Sequence, residues 1–364
     1  MLNSAPDIPA FTDTVIAWQK AHGRHHLPWQ GTHDPYRIWL SEIMLQQTQV
    51  ATVIGYYQRF LSRFPDIGTL AAASQDEVMP YWAGLGYYAR ARNLHRCAQV
   101  LCSDWGGQFP GNSENIATLP GIGRSTAAAI AAFAYGERSP IMDGNVKRVF
   151  TRYFGIEGAT SERATELALW RAAEAVLDAA PRKLDMVAYT QGLMDLGSQC
   201  CTRGRPDCGR CPLQERCYAR KTGRQHELPT PRKKKASPER QCNMLVANRD
   251  GHILLEKQAS PGIWGGLWSL PLYHDDDALM AACRHWGSRQ TPPQKMASLV
   301  HVFTHFRLHI EPWYLSCDTT RLAEPGPAQR WIGLADLAAT ALPAPVRKIL
   351  EGLFPASFAP AGSD

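Results

Sequence analysis

No segment of this 364-residue sequence stays apolar over the about 20 residues that a membrane-spanning helix needs. The longest apolar stretch lies near Ala127–Tyr135 and is much shorter. The N-terminal region carries Asp7 and Asp13 and lacks an apolar run, so it does not have the pattern of a secretory signal peptide. We therefore expect an intracellular protein with no membrane partner.

A strong excess of one charge is also missing. Charged residues make up 20% of the sequence, and the net charge is only +6 with a pI of about 8.8. This balance is compatible with a polyanionic partner but does not establish one. The hydrophobic content of 45% is sufficient for proper cores, and the length predicts two or three domains.

The ten cysteines are unevenly distributed, because six of them lie between 200 and 242. Such clustering in an intracellular chain favours metal ligation over disulfides. Four of them form a box with spacings of six, two and five intervening residues: Cys201, Cys208, Cys211 and Cys217. Two CxxC pairs would suggest zinc, whereas four close thiolates with a single CxxC can hold an iron–sulfur cluster. Cys200 breaks the spacing and is left out of the set.

The hydrophobic pattern changes along the chain. Apolar residues recur with helical spacing over about residues 10–200, including expected helices at 10–22, 50–63, 67–81, 161–178 and 182–198. From residue 241 the period changes to that of strands, with expected strand pairs at 243–247 with 253–256 and at 299–303 with 306–315. Helices are expected at 276–286, 333–340 and 344–353. The fold class is therefore multidomain, with an all-α half followed by an α+β domain.

A glycine hairpin, Leu119–Gly123, connects two of the helical patterns. Gly121 and Gly123 permit a tight turn, and Ser125 and Thr126 follow as a helix start. Free backbone N–H groups at such a start can bind a phosphate. An ordinary turn between helices is the alternative.

Two carboxylates stand out in the helical half. Glu42 lies among bulky apolar residues at helical spacing, where burial would raise its pKa toward that of a general acid. Asp143 comes shortly after the hairpin and could face a developing cation. A solvated glutamate on a helix surface and a simple helix cap remain the alternative interpretations.

Together these motifs resemble the MutY-type adenine DNA glycosylases of the helix-hairpin-helix superfamily. The segments WLSEIMLQQTQV, GLGYYARARN, LPGIGRSTA and IMDGNVKRV and the cysteine box occur in that family's order and spacing. The resemblance covers about residues 10–350. It implies an endonuclease III-like catalytic half with a helix-hairpin-helix and a cluster loop, and a Nudix-like C-terminal domain.

The resemblance also implies roles for individual residues. Glu42 matches the acid that protonates adenine at N7, Asp143 the carboxylate that stabilises or traps the oxocarbenium ion, and Asn145 a residue that orients the acid and water. Bifunctional relatives carry lysine where this chain has Ser125, so we expect a monofunctional enzyme that leaves an abasic site.

Further positions match contacts to the substrate. The pocket residues would be Trp29, Leu45 and Gln191. Residues that fill or wedge the base stack would be Gln47 and Tyr87. The phosphate grip would come from the hairpin with Gly121 and Gly123, together with a monovalent cation, and Ser125 is a further position in the set of pocket and DNA residues. The 8-oxoguanine recognition loop would be Phe303, Thr304 and His305, where many members have serine in place of threonine. The cofactor implied is one 4Fe–4S cluster on the four-cysteine box.

The expected domains are a helical glycosylase domain at 1–218 and a Nudix-like recognition domain at 241–355. The first includes a six-helix part at about 30–140 and the cluster loop at 201–217. A linker at 219–240 separates the two domains, and a tail follows at 356–364. The expected partner is double-stranded DNA containing adenine opposite 8-oxoguanine or guanine. We expect a cytoplasmic monomer, nucleoid-associated if bacterial.

Three other functions compete with this hypothesis. A glycosylase/lyase for oxidised pyrimidines would fit the superfamily, but Ser125 and the C-terminal domain disfavour it. An iron–sulfur DNA-binding or redox-sensing protein is disfavoured by the pair of Glu42 and Asp143. A nucleotide-pool hydrolase is disfavoured because the glutamate-rich Nudix box is absent from 262–290.

Overall fold

The computed structural model describes residues 8–232, 237–287, 292–317 and 324–359. The chain divides into two compact units. The first comprises Met1–Ala72 with Asn93–Lys234, and the second comprises Ala73–Arg92 with Lys235–Asp364. An all-helical part and an α+β part are both present, as the sequence predicts, while the exact domain boundaries stay a prediction.

Helices account for nearly all regular structure in the first unit. They are α1 Ile8–His22, α2 Pro35–Leu45, α3 Val50–Arg63, α4 Ile67–Ala72, α6 Ala89–Asp104 (from Asn93 onward), α7 Ser113–Ile116, α8 Arg124–Tyr135, α9 Gly144–Phe154, α10 Arg163–Ala179, α11 Met186–Asp195 and α12 Tyr218–Lys221. A π-helical turn, Leu196–Cys200, continues α11. Asp34, Asp143 and Asp185 accept backbone N–H groups as N-caps of α2, α9 and α11.

The core of the first unit lies between α1 and helices α8 to α11. Phe11 of α1 packs its ring against Phe150, Tyr153 and Phe154 of α9. The buried alanines of α8 have no side chain beyond Cβ, so neighbouring helices can approach it closely. This packing fixes α8, α9 and α11, which carry the predicted site residues Ser125, Asn145 and Gln191.

Two predicted helices of this region differ from the structure. The helix predicted at 67–81 is divided, because Ser74 and Glu77 form a reciprocal capping box that starts a new helix, α5 Gln75–Trp82. The helix predicted at 182–198 begins only at Met186, because the Asp185 side chain caps its first turn. Local capping hydrogen bonds therefore determine where these helices begin, although the apolar periodicity continues across both boundaries.

The second unit is built on a mixed sheet. Its strands are β1 Glu239–Arg249, β2 His252–Lys257, β3 Trp268–Ser269, β4 Leu272–Tyr273, β5 Gln294–Lys295, β6 Leu299–Val302, β7 Arg307–Ser316 and β8 Gln329–Gly333. The main order is β3-β2-β1-β7-β5, and β4, β6 and β8 pair with β1, β7 and β2. β1 and β7 run parallel, with Glu239 opposite Arg307 and Asn248 opposite Ser316. The predicted strand pairs β1–β2 and β6–β7 are both confirmed, and both are antiparallel.

Helices flank this sheet at the predicted places. α13 spans Asp276–Trp286 and α14 spans Ala344–Leu353, both with the predicted bounds. The helix predicted at 333–340 is a 3₁₀ helix at Leu334–Ala339.

The segment Ala73–Arg92 belongs to this second unit although it precedes the sheet by about 150 residues in sequence. Lys257 Nζ lies 2.5 Å from Asp76 Oδ1, and Arg92 Nη1 donates to the Gly265 carbonyl at 2.5 Å. These contacts hold α5 and the following turn against the loop between β2 and β3. None of the helices in the described parts of the chain is both long and apolar enough to cross a membrane.

Candidate active site

A cavity of about 250 Å³ opens in the first unit beside α2 and α11. Four residues that the sequence singles out line this cavity: Trp29, Glu42, Leu45 and Gln191. The Trp29 ring packs edge-on against Tyr57 of α3 at a centroid distance of 5.5 Å, which fixes its orientation. The structure thus brings the predicted acid together with the three predicted pocket residues.

Glu42 lies on α2 with buried neighbours on both sides, Ser41 and Ile43. Burial raises the pKa of the Glu42 carboxyl from 4.5 to about 8, and the negative charge of Asp143 adds to the increase. The group is therefore mainly protonated at neutral pH. A neutral carboxyl group beside a cavity can donate a proton to a bound base.

Asp143 is the N-cap of α9. Its Oδ1 accepts from the Val146 backbone N at 2.7 Å, and its Oδ2 accepts from Asn145 Nδ2 at 3.2 Å. Burial raises the pKa of Asp143, while these hydrogen bonds oppose the increase because they favour the charged form. Asp143 is therefore a helix cap, as the alternative interpretation expects. The same hydrogen bonds also fix the orientation of the carboxylate whose negative charge raises the pKa of Glu42.

The loop before Asp143 is attached to the hairpin helix. Ser125 Oγ accepts a hydrogen bond from the Met142 backbone N at 2.8 Å. The hairpin itself is a tight turn in which Gly121 has a φ of +76°, and a Cβ there would meet Asn93 Cβ at 2.6 Å. Gly123 is the N-cap of α8 and has no side chain that could accept from the first-turn N–H groups. These groups can consequently bind an anion.

Two arginines of α9 connect the site to the cysteine box. Arg148 donates to Asn145 Oδ1 at 2.8 Å and to the carbonyls of Gly197 and Cys201 at 2.5 and 2.6 Å. Arg152 donates to Cys201 Sγ at 3.3 Å and to the Thr202 carbonyl at 2.8 Å. Arg148 is therefore a hydrogen-bond donor both to the backbone at Cys201 and to the side chain of Asn145.

The four cysteines of the predicted set lie within electrostatic range of one another. Burial raises the pKa of Cys208 and of Cys217, and the negative charges of Cys201 and Cys211 add to the increase. In the described part of the chain, no group of three or more His, Cys, Asp or Glu side chains is arranged to hold a single metal ion. A four-iron cubane differs from a single ion because each thiolate binds its own iron. The donor chemistry, with Arg152 beside one thiol, fits such a cluster. Cys200, outside the set, is buried and its Sγ donates to the Asp207 carbonyl at 3.2 Å.

Gln47 and Tyr87, the predicted stack residues, share an unusual backbone. Their φ angles are +57° and +48°, which is a left-handed backbone conformation that residues other than glycine rarely adopt. Both side chains are exposed, Tyr87 to 41%. Gln47 belongs to the first unit and Tyr87 to the second, where Arg90 lies over its ring at 5.6 Å. Strained, exposed residues of this kind are common at ligand-binding positions.

The predicted recognition loop forms the tip of the β6–β7 hairpin. The Phe303 N donates to the Phe306 carbonyl at 2.9 Å, and the two rings stack at 4.5 Å. Phe303 also packs on Trp264 at 5.7 Å. Thr304 and His305 are exposed at the tip, with Thr304 Oγ1 3.4 Å from His305 Nδ1. A rigid aromatic base thus presents two polar side chains to solvent.

Asp195 and Arg24 are site residues that sequence reasoning missed. Asp195 is fully buried, and Arg24 binds it from 171 residues earlier in the chain. Both residues adjoin Gln191, since Gln191 Nε2 donates to Asp195 Oδ1 at 2.9 Å and Arg24 lines the same cavity. A contact between such distant positions leaves no periodic signal in the sequence.

Known proteins resemble both parts of the chain. Residues 40–175 match the HhH-GPD superfamily of base excision DNA repair proteins, and residues 242–352 match the NUDIX domain. A solved thermostable thymine-DNA glycosylase aligns with a TM-score of 0.53 at 29% identity, covering 59% of this chain and 97% of that one. An endonuclease III solved in a complex with DNA aligns with a TM-score of 0.51 at 20% identity, covering 60% and 99%. These likenesses confirm the predicted endonuclease III-like and Nudix-like folds.

A relative that aligns over nearly the whole chain identifies the family. The curated adenine DNA glycosylase of Buchnera aphidicola subsp. Acyrthosiphon pisum is 34% identical over 342 residues, which cover 94% of this chain and 97% of that protein. Identity at this level across nearly both whole chains goes beyond a shared fold. The chain therefore belongs to the adenine DNA glycosylase family.

Proposed function

We propose that this enzyme removes adenine paired with 8-oxoguanine or guanine in double-stranded DNA and leaves an abasic site without cutting the strand. The observation that carries this proposal is the neutral Glu42 carboxyl at the cavity beside a hydrogen-bonded Asp143. Two carboxyl groups with environments this different can act as an acid and as an anion in the same reaction.

In this proposal Glu42 donates its proton to N7 of the flipped adenine. The protonated base leaves as neutral adenine when the N-glycosidic bond breaks, and the sugar becomes an oxocarbenium ion. Trp29, Leu45 and Gln191 would form the walls that hold the base outside the duplex. The deprotonated Glu42 can then accept a proton from the attacking water.

Asp143 would stabilise the positive charge that develops at C1′ or bind that carbon covalently before water attacks. Its carboxylate is already oriented by the Val146 N–H and by Asn145, so little reorganisation is needed during the reaction. Asn145 in turn accepts from Arg148, which fixes its amide. Asn145 would thus orient both the acid and the water.

Ser125 supports a monofunctional reaction. Its hydroxyl accepts the Met142 N–H and has no amine with which to form a Schiff base. The backbone of Gly121–Gly123 would bind a phosphate, with a monovalent cation at the hairpin, while Gln47 and Tyr87 would fill the base stack. Thr304 and His305 at the hairpin tip would contact 8-oxoguanine, with Phe303 as their support.

We further propose that Cys201, Cys208, Cys211 and Cys217 hold one 4Fe–4S cluster. When bound, such a group cross-links the cysteine loop and is coloured through its iron–thiolate bonds. Absorption at about 410 nm with about four irons per chain is the expected result. Stoichiometric zinc without iron in protein purified anaerobically would contradict it.

Single-turnover cleavage of a duplex with one adenine opposite 8-oxoguanine tests the activity. Products analysed with and without alkali should show strand breaks only after alkali. A duplex with adenine opposite thymine is the matched control and should stay intact. Breaks without alkali would contradict the monofunctional assignment, and no release of adenine opposite 8-oxoguanine would refute the proposal. Light scattering should show a monomer.

A further inference from the structure

A fully buried carboxylate lies one helical turn beyond Gln191 on α11. Asp195 Oδ1 accepts from Arg24 Nε at 2.7 Å and from Arg24 Nη2 at 2.6 Å, and Oδ2 accepts from the Arg24 backbone N at 2.9 Å. Arg24 thus donates to both oxygens of the carboxylate, so Asp195 acts as a hydrogen-bond acceptor toward its neighbours.

This property decides how the Gln191 amide is oriented. An acceptor at 2.9 Å from one end of the amide requires that this end be the NH₂ group, Nε2. The carbonyl oxygen Oε1 then lies at the other end of an amide that lines the cavity. Oε1 is the amide atom that Asp195 does not bind, so in a side chain that lines the cavity it can accept a hydrogen bond from a ligand.

We infer that Asp195 is a positioning residue that makes Gln191 present its carbonyl oxygen, an acceptor, to the base in the cavity. This inference rests on the proposed function, in which that base is adenine. An acceptor suits the exocyclic 6-amino group of a 6-aminopurine. The 6-oxo group of guanine or hypoxanthine is itself an acceptor, so the lone pairs of the two oxygens repel each other and those bases are disfavoured.

The inference concerns discrimination rather than the rate alone, so the readout is a ratio. We would measure single-turnover excision of adenine and of unsubstituted purine, which lacks the 6-amino group, each opposite 8-oxoguanine. In Asp195→Asn the amide of Gln191 can turn, because asparagine can donate as well as accept. The adenine-to-purine ratio should fall about tenfold from that of the wild type. Relative excision of hypoxanthine should rise.

A cycle with Gln191→Leu separates positioning from a general structural effect. If Asp195 acts through Gln191, Asp195→Asn should not lower the ratio further in the Gln191→Leu background. Asp185→Asn is the matched control, since it makes the same chemical change at the start of the same helix and should leave the ratio unchanged. If Asp195→Asn does not fold, its combination with Arg24→Gln removes both charges together and is measured in the same way.

Each outcome has a separate meaning. A wild-type protein that releases no adenine would refute the proposed function itself. An active wild type whose ratio falls in Gln191→Leu but not in Asp195→Asn would overturn the positioning role of Asp195. A ratio unchanged in both variants would show that Gln191 does not read the 6-amino group.

Discussion

The protonation of Glu42 gives the sharpest prediction of pH dependence. With a pKa of about 8, the carboxyl group is about nine-tenths protonated at pH 7 and about one-tenth protonated at pH 9. If the protonated form is the general acid, the single-turnover rate of adenine release should fall about tenfold across that interval. An ordinary glutamate would already lose activity tenfold per pH unit from about pH 5 upward.

The assay is single-turnover excision between pH 5 and 9.5, quenched with alkali to reveal abasic sites. Duplex binding measured over the same range with Glu42→Gln, which cannot donate this proton, is the control for pH effects on DNA binding. A decline that begins near pH 5, or a rate that stays constant to pH 9.5, would refute the pKa assigned to Glu42.

The same pKa predicts an effect on stability. Between pH 4.5 and 8 the folded chain keeps a proton on Glu42 that the unfolded chain has lost, so the free energy of unfolding falls as the pH rises through this window. The cost reaches about 3 kcal/mol at pH 7 and is absent below pH 4.5. Glu42→Gln should therefore unfold at higher denaturant concentration at pH 7, with no gain at pH 4. A gain of equal size at both pH values would contradict this account.

Three further variants test the site. Asp143→Asn should keep its affinity for the duplex and lose nearly all base excision, and turnover near the wild-type rate would remove its assigned role. Gly197→Ala should lower excision more than binding, because a Cβ there would clash with Asn145 Cβ, and unchanged kinetics would show that Asn145 need not be held in place. Ser125→Ala should reduce the free energy of unfolding by about 1 kcal/mol through loss of the Met142 hydrogen bond, and an unchanged denaturation midpoint would argue against that bond.

Local signals were sufficient for much of the fold. The bounds of α13 could be predicted because Asp275 caps the helix and an apolar stripe follows. The glycine hairpin and the β1–β2 turn were recognisable from Gly121 and from Asp250-Gly251, residues that favour the positive φ angles of tight turns. The break at Ser74 was missed because a capping box inside an apolar pattern does not interrupt the periodicity.

The site residues also differ in whether their sequence neighbours reveal them. Glu42 could be singled out since its neighbours in sequence are also the groups that bury it. Asp195 could not, because its partner Arg24 is 171 residues away and an aspartate on a helix is usually solvated. Arg148 was likewise missed, since its acceptors around Gly197 and Cys201 come into contact only when the chain has folded.

The membership of Ala73–Arg92 in the second unit has a consequence for the gene. A stop codon just after residue 234 would leave the coding sequence of every helix of the first unit intact. Such a truncation would therefore seem to leave the helical part unharmed. It would nevertheless remove Lys257 and Gly265, the partners of Asp76 and Arg92. The turn that carries Tyr87 would then be translated without the segment against which it packs, so a late nonsense mutation would act on an early part of the protein.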